Sequence, residues 1–213
     1  MTFGNTLIFG DSYSTYLGWI PEGNAAYYPT TAEGRPQLKD VTETWWHALI
    51  TETGSNLLLN DSWSGSTVGY TGYNGEDTSK TSSFITRLRK MISEGFFEKS
   101  KVDTVFIFGT TNDNWADAPI GDTKYRNIKE EDLYSALAAV CYFLGKLKEI
   151  LPDARIVFII NSELKYELVT GIIRASKHYG TEYVLLSKID KLWGHPTKLG
   201  MTQIKNQILK KLI

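Results

Sequence analysis

The chain has 213 residues, a formal net charge of −1, 42% hydrophobic and 22% charged residues, the make-up of a globular protein able to bury a sizeable core. That charge offers no field for nucleic acid or an anionic membrane, and no apolar run approaches the roughly 18 residues of a membrane span. The single cysteine, Cys141, excludes an internal disulfide and reads as a buried, inert thiol. The first residues, Met1 to Asn5, lack a basic stretch followed by an apolar one, so the expectation is a cytoplasmic protein.

In chain order, Leu7-Ile8-Phe9 run into Gly10-Asp11-Ser12. A short apolar run bounded by glycine predicts a buried strand over 6–10, and the Asp and Ser after it predict a short helical turn. Residues 18–42 are rich in Gly, Pro and Tyr and include Trp19, Tyr27 and Tyr28; so long a connection is usually functional or mobile. Trp45, Trp46, Leu49 and Ile50 give the apolar face of a helix from Thr42 to Thr53. Leu57 to Leu59 form a second strand, ending at Asn60-Asp61-Ser62, and a loop rich in Gly and Ser follows from Gly65 to Gly75. Phe84, Leu88 and Met91 fit a helix from about 82 to 95.

Val102 to Phe108 is a third strand, closed by Gly109-Thr110-Thr111-Asn112-Asp113. Leu133, Leu137, Val140, Leu144, Leu147 and Leu151 recur at helical spacing until Pro152 stops them. Ile156 to Ile160 is a fourth strand, Leu164 to Ala175 a helix, Tyr183 to Leu186 a fifth strand, and Met201 to Leu212 a terminal helix. Five strands separated by helices predict a parallel sheet covered on both faces, in one α/β domain spanning residues 1–213.

In such a sheet, residues just beyond the strands gather at one edge, and there stand Ser12, Gly65, Asn112 and His195. Alone, Ser12 could cap a helix, cradle a phosphate or flavin in a flavodoxin-like protein, or act as a nucleophile. The other three favour acyl transfer. Histidine has the pKa to serve as base for a weakly nucleophilic hydroxyl, and backbone N–H groups with an Asn amide can hold an oxyanion. The glycines at 69, 72 and 75 lack the Lys-Ser/Thr ending of a phosphate loop. His47 reads as packing, and His178 suits a helix C-terminus. Asp113 reads as a turn former. Trp19, Tyr27, Tyr28, Tyr70, Tyr73 and Trp115 follow the first three strands and could pack as a lid or present a stacking surface to a sugar or aromatic substrate.

Gly10-Asp11-Ser12-Tyr13-Ser14 resembles the first block of the GDSL, or SGNH, hydrolases. Asn60 to Gly65 is similar to the second block, Gly109 to Asp113 to the third, and His195-Pro196-Thr197 to the last. The resemblance implies a three-layer α/β/α sandwich, a flavodoxin-like SGNH-hydrolase fold on a five-stranded parallel sheet. It implies Ser12 as nucleophile, His195 as general base, and an oxyanion hole from the Ser12 N–H, the Gly65 N–H and the Asn112 side chain. It also implies an ester substrate, with no metal and no organic cofactor; a non-catalytic carbohydrate-binding relative would carry the same residues. Two places depart from the family. Thr110 stands where a glycine is usual, and the turn is expected at Gly109 instead. Leu192 stands where an aspartate usually orients the histidine. Asp190 could take that role if Gly194 folds the loop back at positive φ; otherwise a backbone carbonyl around Lys191 or Leu192 would fix the tautomer.

Overall fold

The computed structural model describes residues 2–213. Its central sheet has strands β1 (Asn5–Gly10), β2 (Asn56–Ser62), β3 (Thr104–Phe108), β4 (Arg155–Ile160) and β5 (Glu182–Leu185), all parallel, in the order β2-β1-β3-β4-β5. The alternation of side chains along a strand divides the core in two. Leu7, Phe9, Val105, Ile107, Ile156 and Phe158 face one layer, while Ile8, Phe106, Phe108, Val157 and Ile159 face the other. The first layer is covered by α2 (Phe84–Ser93), α5 (Ala136–Ile150) and α6 (Tyr166–Tyr179); α3 (Phe96–Lys99) packs against α2. The second is covered by α1 (Trp45–Thr53) and α7 (Lys198–Leu212), which contact each other. Burial on both faces is why these strands read as continuous apolar runs. The expected three-layer α/β/α sandwich on five parallel strands is the observed fold. Among the described residues no helix is long and apolar enough to cross a membrane.

Because the strands are parallel, their carboxyl ends share one edge. Gly10 is in register with Ser62 of β2 and Phe108 of β3, so three loops leave the sheet at the same height. The chain runs from β1 outward to β2, then returns to the other side of β1 for β3, and ligands bind in the crevice such a reversal leaves. A short helix, α4 (Thr111–Trp115), follows β3 at that crevice. After β5 comes a two-stranded antiparallel hairpin of β6 (Lys191–Leu192) and β7 (His195–Pro196). Its two-residue turn puts Trp193 at φ +51° and Gly194 at φ +77°, the positive pair that a tight hairpin needs to match strand twist.

The expected helical turn after β1 is absent; residues 12–14 form only a turn. Local side-chain bonds displace the helix. The Thr15 hydroxyl donates to the Ser12 carbonyl at 3.1 Å, and Asp11 Oδ1 accepts from the Tyr13 N–H at 3.0 Å. The phosphate- or flavin-cradling alternative thereby loses the helix N-terminus it needed.

Candidate active site

Ser12 and His195 lie 183 positions apart in the chain, yet Ser12 Oγ is 3.0 Å from His195 Nε2. Both are almost fully buried, Ser12 at 2% and His195 at 8% exposure. The hairpin carrying His195 is tethered from three sides. The Tyr13 hydroxyl donates to the Gly194 carbonyl, and the Tyr28 hydroxyl donates to the Pro196 carbonyl at 2.6 Å. Lys191 Nζ donates to Ser162 Oγ at 2.9 Å and pairs with Glu163 at 3.1 Å, fastening β6 to the end of β4.

Asp190 does not reach the histidine. Antiparallel pairing sets Leu192 opposite His195 and Lys191 opposite Pro196, so the next rung is Asp190 opposite Thr197, whose N–H donates to the Asp190 carbonyl at 3.1 Å. The Asp190 carboxylate accepts from the Thr197 hydroxyl instead. His195 Nδ1 lies 3.2 Å from the Trp193 carbonyl oxygen, one residue beyond the carbonyls expected for this role. Gly194 does adopt positive φ, as anticipated, but the turn it makes aims a carbonyl rather than a carboxylate at the imidazole.

Burial holds the His195 pKa down to about 4; the Arg35 and Lys191 charges push the same way, and the Trp193 carbonyl opposes them. The imidazole is therefore a neutral base at physiological pH. Tyr27 stacks flat against it, with centroids 3.7 Å apart and planes 4° from parallel, and Trp115 meets it edge-on at 5.5 Å.

Asn112 is carried by α4, with Nδ2 donating to the Ser66 carbonyl at 2.9 Å and Oδ1 accepting from the Tyr73 hydroxyl at 2.7 Å. Those two bonds fix which way the amide faces and leave one N–H of Nδ2 unused. Gly65 sits in an exposed turn at φ +83°. Neither its N–H nor that of Ser12 donates to an acceptor among the described residues. The turn before α4 is made at Thr110, at φ +69°, and not at Gly109. Gly109 serves close packing: a Cβ there would stand 2.8 Å from the Phe84 ring and 2.9 Å from Val68.

Buried charged residues lie beneath the site, and the framework roles of two of them, Asp113 and Arg87, were not read from the sequence. Asp113 is more than a turn former. Its carboxylate accepts from the Val68 N–H at 2.9 Å and the Gly69 N–H at 3.2 Å, pinning the loop that follows Gly65. Arg87 of α2 pairs with Asp61 at 3.0 Å and donates to the carbonyls of Asp61 and Gly10 and to Ser66 Oγ. It thus joins the ends of β1 and β2 to the second loop. An arginine within an amphipathic helix normally reads as solvent-facing; the one available signal was its place between the core residues Phe84, Leu88 and Met91. Asp11 is fully buried, and that desolvation raises its pKa to about 7.

A family model described as GDSL-like Lipase/Acylhydrolase matches residues 5–212. Among solved structures, a Bacteroides uniformis ATCC 8492 protein assigned as a GDSL-like lipase is 41% identical, with TM-score 0.90, covering 98% of this chain and 95% of that one. Its counterpart from Bacteroides ovatus ATCC 8483 is 39% identical, with TM-score 0.89, covering 97% and 96%. A family two carbohydrate esterase from Clostridium thermocellum, in complex with cellohexaose, is 14% identical with TM-score 0.64, covering 98% of this chain and 63% of that one; at that distance the likeness is one of fold. No curated protein matches the chain. With a family match over nearly its whole length and two close structural relatives, the chain belongs to the GDSL-like lipase/acylhydrolase family and is an esterase or acylhydrolase.

Proposed function

We propose that the chain acts as a single-domain serine esterase through a Ser12–His195 dyad, without a carboxylate partner. The 3.0 Å approach of Ser12 Oγ to His195 Nε2 carries this reading, since it meets the hydrogen-bond reach a nucleophile and its base require. As Oγ bonds the ester carbon, its proton passes to Nε2 and the carbonyl electron pair moves onto oxygen. The N–H groups of Ser12 and Gly65 and the spare Nδ2 hydrogen of Asn112 hold that oxyanion. The alcohol then leaves with the proton from Nε2, and water activated by the same imidazole releases the acyl group. The Trp193 carbonyl accepts a hydrogen bond from Nδ1–H, which keeps the proton on Nδ1 and leaves Nε2 free as base.

The substrate reading is a small acyl group on a polar or sugar-like alcohol. Trp193 is 71% exposed with Arg35 over its ring at 5.6 Å, and Tyr73 and Trp115 are 39% and 41% exposed. Trp193 and Trp115 adjoin His195, and Tyr73 adjoins Asn112, so flat apolar faces lie beside the reacting groups. Such faces suit a sugar ring, and an exposed ring paired with arginine does not suit a lipid chain. The test is turnover of p-nitrophenyl acetate by the wild type, Ser12→Ala and His195→Ala. Both variants should lose at least about 1,000-fold in kcat; undiminished turnover by Ser12→Ala defeats the mechanism.

A further inference from the structure

Proton transfer from Ser12 leaves a buried imidazolium, and among the described residues no acidic group faces it. Nδ1 meets the Trp193 carbonyl, and the Asp190 carboxylate is engaged by Thr197. The charges that act on the ring, Arg35 from the long loop and Lys191 from β6, are both positive. A base in this setting needs another source of negative potential as it takes up its proton.

Of the aromatic rings that meet His195 among the described residues, one lies flat against it. Tyr13 is tilted by 50° at 5.6 Å and Trp115 is edge-on at 64° and 5.5 Å, whereas Tyr27 lies parallel within 4° at 3.7 Å. The face of an aromatic ring carries the negative part of its quadrupole and attracts a cation within about 6 Å, more strongly where water is excluded. A neutral imidazole gains less from the same face. The contact therefore strengthens as the proton arrives, which is the kind of interaction that raises kcat.

The chain goes to some length to hold this ring. The Tyr27 N–H donates to Thr15 Oγ1 at 2.9 Å, and that hydroxyl donates in turn to the carbonyl of Ser12. Tyr28 braces Tyr27 edge-on at 4.8 Å while its hydroxyl bonds the Pro196 carbonyl beside the histidine. The pair thus spans from the nucleophile's turn to the histidine's hairpin. The Tyr27 hydroxyl is buried and no group among the described residues meets it in good hydrogen-bond geometry, although the Arg35 guanidinium lies near enough to oppose the rise in its pKa that burial causes; what meets the imidazole is the ring.

The geometry points to Tyr27 as a positioning residue whose ring face steadies the His195 imidazolium in place of the missing carboxylate, an assignment that rests on the Ser12–His195 dyad. The test is kcat and KM for p-nitrophenyl acetate in Tyr27→Phe, Tyr27→Leu, and proteins carrying phenylalanines of increasing ring fluorination at position 27. Tyr27→Phe should stay within about 3-fold of wild type and Tyr27→Leu should lose roughly 10-fold in kcat, with KM little changed. Across the fluorinated series, log kcat should fall stepwise as electron density is withdrawn from a ring of nearly constant shape. A flat series, or Tyr27→Phe falling as far as Tyr27→Leu, overturns the assignment. Should Tyr27→Leu fail to fold, the fluorinated series still decides. Ser12→Ala and His195→Ala in the same assay separate the two claims: inactive variants beside a flat series remove only the role of Tyr27, whereas active variants remove the dyad.

Discussion

At the level of single residues, the base and its missing acid make the sharpest claims. His195 is held at about 4 against an ordinary 6.5, chiefly by burial, so its neutral, proton-accepting form dominates down to that pH. The acid limb of a kcat/KM profile should therefore fall near pH 4; a limb near 6.5 would mean that the imidazole is solvated or paired with a carboxylate. The same depression links to stability with a definite sign. Between pH 6.5 and about 4 the unfolded chain takes up a proton that the folded histidine refuses, so this contribution is intact above 6.5 and lost as pH falls through that window. Asp190→Ala should leave kcat/KM within about 3-fold of wild type, because its carboxylate serves Thr197. A loss of 100-fold or more would restore it as a triad member. At Thr110, a β-branched residue sits at φ +69°, a conformation that costs of order 1 kcal/mol or more. Thr110→Gly should raise the midpoint of urea unfolding, less whatever its hydroxyl bond to the Gly109 carbonyl contributes.

Among the elements, what was legible in the sequence follows from how each is buried. The three central strands, β1, β3 and β4, are buried on both faces and stand out at once, the edge strands β2 and β5 show only short apolar runs, and the stripe on α5 fixed that helix to within a few residues. The β6–β7 hairpin was not legible. Its strands have two residues each, and its turn places a tryptophan, an uncommon choice, at positive φ. Spacing alone therefore left the partner of His195 open between Asp190 and a carbonyl; only the pairing register decides it. Arg87 was hidden for a different reason. Apart from the nearby Ser82 carbonyl, its partners lie on β1, β2 and the second loop, none of them near in sequence. Replacing it with methionine would keep the stem but leave Asp61 buried and uncompensated, so Arg87→Met should destabilise by about 3–5 kcal/mol in urea unfolding. Little change would show that Asp61 is reached by water.

On the scale of the whole molecule, the parallel sheet does the assembling. Its order lines up the ends of β2, β1 and β3, so the Gly65, Ser12 and Asn112 loops become neighbours, and the hairpin after β5 closes over them with His195. Beneath lie two carboxylates raised by burial, Asp11 to about 7 and Asp113 to about 6. Raised carboxylates favour the folded state while protonated, and that contribution is lost as pH climbs from about 4 through the raised values. Asp11→Asn removes the larger of these effects. Its stability relative to wild type should therefore rise between pH 4 and 7 and level off above; a difference constant with pH would show that Asp11 is ionised in the folded state throughout. The proposed dyad predicts one chemical consequence of this arrangement of loops above all others, an activated Ser12. The most direct measurement is intact-mass and peptide analysis after a fluorophosphonate probe is added to wild type and His195→Ala. The expected result is a single adduct on Ser12 in the wild type, formed far more slowly in His195→Ala. An adduct on another residue, or equal labelling rates in the two proteins, would contradict the dyad.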